Sequence, residues 1–106
     1  MISIRFLSAD KSLVGFSLSG HGTADCDDLE GRLVCSAVSS AFYMAANTLT
    51  EIVGAKASIN DDGDVLYFEL SSKIPESQVV LKGFQLHLTE LSREYPNNIE
   101  INSEVF

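Results

Sequence analysis

Residues 33–54 read LVCSAVSSAFYMAANTLTEIVG, and this stretch decides the fold class. Its apolar side chains recur at steps of three and four, which predicts a long helix with one buried stripe. The stripe is expected to contain Val34, Val38, Ala41, Ala45, Leu49 and Ile52. Gly54 stands where a helix C-cap is expected, and Asp27 and Asp28 are both plausible N-caps.

Two strands are predicted before this helix. Ile2, Ile4 and Phe6 alternate with polar residues, and the same alternation recurs over residues 13–20. The polar turn between the two segments is short, so we expect them to form a hairpin.

The chain after the helix repeats this arrangement. Residues 57–60 and 65–70 flank Asp61-Asp62-Gly63-Asp64, which is a strong hairpin signal. Pro75 then introduces a second helix, whose stripe is expected to contain Val80, Phe84, Leu88, Leu91 and Tyr95. Ile99 and Ile101 predict a short final strand. The order ββ-α-ββ-α-β favours an α+β fold, with a mainly antiparallel sheet of about five strands and two helices on one face.

Length and charge restrict the function classes. The 106 residues suffice for one domain, which we place at residues 1–106. Fifteen acidic against seven basic side chains give a net charge of −8, which disfavours nucleic-acid binding and favours a basic protein or peptide. The N-terminus lacks the apolar run of a signal peptide, and we expect no membrane segment and a cytoplasmic location.

The two cysteines predict neither a metal site nor a structural disulfide. Cys26, Cys35 and His21 lack the spacing that gathers four metal ligands, and no cofactor is expected. A reducing cytosol argues against pairing Cys26 with Cys35.

His21 and Cys35 are the candidate catalytic pair. Gly20-His21 ends the second predicted strand, and Cys35 lies close to the expected helix start. A thiol attacks carbonyls as the thiolate, which a nearby imidazole and a helix N-terminus both favour. The free N–H groups of that terminus could also receive an oxyanion. The pattern suggests a small cysteine hydrolase, although an isolated cysteine at such a position is more often a core residue.

Several segments together resemble the ribosomal-processing cysteine protease Prp family. They are Gly20-His21-Gly22, residues 32–39 (RLVCSAVS), residues 81–84 (LKGF) and residues 94–99 (EYPNNI). The resemblance implies that His21 is the base, that Cys35 is the nucleophile, and that Ser39, Gly20 and Gly22 support the site. It also implies a homodimer that removes the N-terminal extension of a basic large-subunit ribosomal protein precursor.

The sequence departs from the family pattern at three places. Arg32 stands where the family has an aspartate, Gly22 and Ser36 replace alanines, and the loop between His21 and Cys35 is longer. These differences keep a second hypothesis open, in which the chain is a non-catalytic dimeric binding module that contacts a ribosomal protein or an assembly factor.

Overall fold

A computed structural model describes residues 1–20 and 28–106 of the chain. Its elements, in chain order, are β1 (Ile2–Ala9), β2 (Ser12–Ser19), α1 (Leu29–Asn47), β3 (Ala57–Asp61), β4 (Val65–Leu70), α2 (Glu76–Glu94) and β5 (Ile99–Val105). A π-helical segment, Thr48–Val53, continues α1.

The five strands form one sheet in the order β3-β4-β2-β1-β5. All neighbours are antiparallel except β1 and β5, which run parallel and pair Ile2 with Ile99. The β1–β2 hairpin closes through Asp10 and Lys11, both at positive φ (52° and 65°) as a two-residue turn requires. The predicted α+β class and element order are confirmed, and the sheet is mixed because β5 returns beside β1.

Helix α1 packs on the same sheet face that carries the apolar side chains of the strands. The predicted residues Val34, Val38, Ala41, Ala45 and Leu49 are all buried in one core with them. The prediction for Ile52 is wrong, since this side chain is 80% exposed. The π-helical turn explains the difference, because its wider winding rotates later residues away from the 3.6-residue stripe.

Gly54 ends this helical stretch as predicted. Its φ is +78°, and its N–H donates to the carbonyl of Leu49.

Helix α2 buries a broader stripe than the sequence pattern indicated. Phe84 and Leu88 are buried as expected, and Val80, Leu91 and Tyr95 are partly buried against the core. Leu81 and Ser77, which the prediction omitted, are also fully buried. Contact with both α1 and the sheet accounts for this wider stripe.

The apolarity of α1 has a structural explanation. By length and composition alone, Leu29–Val53 could cross a membrane, but a helix buried in a protein core can have the same length and composition. Val38 and Leu49 have no exposed surface, so one side of this helix builds the core of the domain.

Five phenylalanine rings meet at the centre of the core. Phe16 on β2 stacks on Phe68 of β4 at a centroid distance of 5.0 Å and contacts Phe84 of α2 at 4.6 Å. Phe42 of α1 and Phe6 of β1 complete the cluster at 5.8 and 6.5 Å from the same ring. Phe16 therefore joins three strands and both helices.

We expect Phe16→Ala to lower the free energy of unfolding by about 3–5 kcal/mol, because it removes the ring that every layer contacts. Urea unfolding followed by circular dichroism measures the change. Val79→Ala is the control, since Val79 is 75% exposed and its truncation should change stability by less than about 0.5 kcal/mol. Equal effects of the two substitutions would contradict the central role of Phe16.

Candidate active site

Asp28 caps the N-terminus of α1. Its Oδ1 accepts the N–H of Gly31 at 2.6 Å, and its carbonyl accepts the N–H of Arg32 at 3.0 Å. Of the two predicted caps, Asp28 is therefore the one that the structure describes, and Asp27 lies outside the described residues.

Cys35 lies well inside α1. The helix begins at Leu29, so Cys35 follows six residues later and about 9 Å further along the axis. Helix dipole effects and unpaired N–H groups are confined to the first turn. The expected placement of free N–H groups beside Cys35 is therefore wrong. The helix terminus therefore contributes little to stabilising a thiolate at Cys35.

The side chain of Cys35 is half-buried against the core, and the sulfur is disulfide-bonded in the structure. The expectation of a free thiol at this position is thus corrected. Cys26, the other cysteine of the sequence, lies outside the described residues. Since only a thiolate attacks a carbonyl, a nucleophilic role for Cys35 requires reduction of this bond.

Ser39 follows Cys35 by one turn of α1. Residues four apart on a helix lie about 5–6 Å apart between Cβ atoms. Ser39 is half-buried, like Cys35, and the next residue on this side, Phe42, is buried in the core. The predicted shared face of Cys35 and Ser39 agrees with this pattern.

Gly20 fixes the point at which the chain leaves β2. Its φ is +83°, and a Cβ at this position would lie 2.3 Å from the carbonyl oxygen of Met1. Only glycine combines this backbone conformation with such a close approach. His21 and Gly22, the next two residues, lie outside the described residues, so their predicted roles remain predictions.

An acidic turn lies at the same end of the sheet as Gly20. Val65, which follows the turn, pairs with Ser19 across β2 and β4. In the turn itself, Asp62 accepts the N–H groups of Val65 and Asp64 at 2.8 and 2.9 Å. The hydrogen bond from Val65, and next the one from Asp64, lower the pKa of Asp62, so its carboxylate keeps its charge to a lower pH than an ordinary aspartate does.

Glu100 adds a carboxylate at this end of the sheet. It pairs with Ser3 of β1, which in turn pairs with Ser19. We call Asp61, Asp62, Asp64 and Glu100 the acidic rim. The hairpin is predictable from the sequence but its place beside Gly20 is not, because the pairing of β2 with β4 joins strands that are distant in sequence.

In residues 1–20 and 28–106, no group of three or more His, Cys, Asp and Glu side chains is placed to hold a metal ion. One cavity of about 480 Å³ lies by the β1–β2 turn, at the opposite end of the sheet from Gly20. Another of about 610 Å³ lies between α1 and α2. Cys35 lines neither cavity.

A cysteine nucleophile with a histidine base is a pair that peptidases use, and this chain carries Cys35 on its first helix and His21 directly after Gly20 in sequence. The sequence profile of the cysteine protease Prp family matches residues 1–100. The chain therefore belongs to the cysteine protease Prp family, which confirms the resemblance and makes it a cysteine peptidase. This assignment favours the enzyme over the non-catalytic module. No curated protein sequence matches the chain significantly.

Solved structures show the same fold at low sequence identity. SMU.848 from Streptococcus mutans superposes with a TM-score of 0.89 at 22% identity, covering 100% of this chain and 99% of its own. The essential ribosomal processing protease Prp from S. aureus, in complex with a substrate peptide, superposes with a TM-score of 0.86 at 20% identity. The match covers 98% of this chain and 100% of that one. The same protease with a covalently linked product peptide superposes with a TM-score of 0.82 at 22% identity, and the match again covers 98% of this chain and 100% of that one.

Gly20→Ala should destabilise the protein and misplace the segment that follows. The left-handed backbone costs a non-glycine residue about 1–2 kcal/mol, and the clash with Met1 adds to this. Thermal unfolding measures the loss.

Gly83→Ala is the matched control for this substitution. A Cβ at Gly83 in the middle of α2 meets nothing within 4 Å, so helix propensity should make this change stabilising. If both substitutions shifted the melting temperature in the same direction, the constraint assigned to Gly20 would be wrong.

Proposed function

We propose that this chain is a cysteine endopeptidase that removes the N-terminal extension of a large-subunit ribosomal protein, using Cys35 as nucleophile and His21 as base. The observation that carries the proposal is the Prp family match over residues 1–100, a span that includes both residues. The S. aureus relative is described as a ribosomal processing protease in complex with a substrate peptide, which supports the same class of substrate here.

In the proposed reaction, His21 takes the proton of the reduced Cys35 thiol, and the thiolate attacks the carbonyl carbon of the scissile peptide bond. The tetrahedral intermediate collapses as His21 returns the proton to the leaving amine, which departs with one peptide fragment. Water, deprotonated by His21, then attacks the thioester and releases the second fragment with a new carboxylate. The covalently linked product peptide in the S. aureus relative supports a covalent intermediate in this mechanism.

The described residues suggest how Cys35 would be supported. Ser39, one turn later on the same side of α1, would contact the substrate or the thiol. Arg32 lies one turn before Cys35 and is exposed, without an ion-pair partner among the described residues. Its positive charge favours the thiolate form of Cys35, in place of the aspartate that the family carries there. Gly20 would act by fixing the direction in which His21 leaves β2.

The acidic rim supports a basic substrate. Four carboxylates lie at the end of the sheet from which His21 continues, on a chain whose net charge is −8. A field of this sign raises the encounter rate with a positively charged precursor and repels nucleic acid. A ribosomal protein substrate would place the enzyme in the cytoplasm.

Incubation with the full-length ribosomal protein precursor of the same organism, read by intact mass, tests the proposal. With a thiol reductant present, the wild type should release one discrete N-terminal peptide. Cys35→Ala should lower the cleavage rate by at least about a thousandfold, because the nucleophile is lost. An intact precursor in the presence of reduced, folded wild type would contradict the proposed function.

Cys26→Ala is the matched control, since it removes the other cysteine of the chain. We expect it to retain cleavage at a rate close to that of the wild type. Loss of activity in Cys26→Ala with full activity in Cys35→Ala would reverse the assignment of the nucleophile.

A further inference from the structure

The sulfur of Cys35, which is the proposed nucleophile, is held in a disulfide bond. The chain contains two cysteines, so within one molecule the partner of Cys35 can only be Cys26, which lies outside the described residues. A sulfur held in this bond is not a thiolate, so the bond would keep the peptidase inactive. The bond is therefore either a permanent block of the site or a reversible one.

The spacing along the chain permits this bond while α1 stays intact. Asp28 and Cys35 are seven residues apart, close to two helical turns, so they lie on the same side of α1 and about 10 Å apart along its axis. The two residues from Asp28 back to Cys26 can span about 7 Å when extended. Disulfide-bonded Cα atoms lie about 4.4–6.8 Å apart, so a link of this length is long enough to reach Cys35.

The folded core does not need this bond. The phenylalanine rings around Phe16 join three strands and both helices, whereas Cys35 only packs against the core from a half-buried position. The bond would also close a loop of only ten residues, 26–35, and so short a loop gives less stabilisation than one that joins distant segments. A purely structural role is therefore disfavoured, which leaves a reversible one.

The charge proposed to activate Cys35 also favours its oxidation. Oxidants attack the thiolate, and Arg32, one turn before Cys35, favours that form. The half-buried position leaves part of the side chain accessible to a small oxidant. In the reducing cytoplasm that a ribosomal protein substrate implies, both thiols would stay reduced until such an oxidant appears.

We propose that Cys35 and Cys26 form a reversible redox switch on the peptidase, which hydrogen peroxide turns off and a dithiol reductant turns on. This regulation rests on the proposed function, because it acts through the sulfur of the proposed nucleophile. Cys26 would act only as the resolving thiol and would have no part in peptide cleavage.

Oxidation proceeds in two steps. The Cys35 thiolate attacks one oxygen of hydrogen peroxide, the O–O bond breaks, and the departing hydroxide takes up a proton to become water. The thiol of Cys26 then attacks the sulfur of the resulting sulfenic acid, the S–O bond breaks, and a second water leaves with the proton of that thiol. The two sulfurs together lose two electrons, which reduce the peroxide.

Reduction returns the nucleophile. One thiolate of the dithiol attacks the Cys26 sulfur, the S–S bond breaks, and Cys35 leaves as the thiolate. The second thiol of the reductant then displaces Cys26, and the reductant departs as a disulfide that carries the two electrons lost by the dithiol.

Precursor cleavage and intact mass, measured on the same samples, test the switch. After treatment with hydrogen peroxide, the wild type should be lighter by two hydrogens and should cleave the ribosomal protein precursor at least about a hundredfold more slowly than before. Dithiothreitol should restore both the mass and the rate. Peptide mapping without reductant should recover the segments that contain Cys26 and Cys35 as one linked species.

Cys26→Ala separates the switch from plain oxidation of the nucleophile. In its reduced form this variant should cleave like the wild type. Without a resolving thiol, Cys35 in excess peroxide should become a sulfinic or sulfonic acid, from which dithiothreitol should not restore cleavage. Met44→Leu is the matched control, because Met44 is another peroxide-sensitive sulfur and is 71% exposed. This control should lose and regain activity like the wild type.

Three results would overturn the switch while leaving the proposed function intact. They are an oxidised wild type that cleaves at the reduced rate, a peroxide-treated Cys26→Ala that recovers as completely as the wild type, and a disulfide that joins two copies of the chain in place of Cys26 and Cys35. A reduced, folded wild type that leaves the precursor intact would overturn the proposed function, and the switch with it.

Discussion

The ring of Phe16 is the contact on which the rest of the structure depends. It has no exposed surface and lies 4.6–6.5 Å from four other phenylalanine rings, on β1, β4, α1 and α2. Four residues later, Gly20 follows the last residue of β2 and precedes His21 in the sequence. Phe42, two turns after Cys35, holds α1 to the same ring. The packing of one side chain thus fixes both elements from which the proposed dyad extends.

The local elements could be predicted from the sequence, because periodicities of two and of about 3.6 residues distinguish strands from helices. The turn at Gly63 and the cap at Gly54 were also predictable, because both positions have a positive φ, which glycine adopts more readily than other residues. The π-helical turn that exposes Ile52 was not predictable, since no local pattern marks it. The pairing of β4 with β2, which brings Asp62 near Gly20, depends on tertiary packing and is not encoded locally.

The candidate site was predicted from a motif, and the structure changes its physical interpretation. Cys35 lies about two turns inside α1, so the helix terminus contributes little to its charge. Any activation of this thiol must then come from cationic groups, and His21 and Arg32 are the residues proposed here for that role.

The most direct test of this account is the pKa of the reduced Cys35 thiol, measured from the pH dependence of its alkylation and located by peptide mass. The account predicts a pKa well below the ordinary cysteine value of about 8.5, and a rise toward that value in His21→Gln. A second, smaller rise is expected in Arg32→Gln. An ordinary pKa that neither substitution changes would contradict a thiolate stabilised by His21 and would remove the basis for Cys35 as the nucleophile.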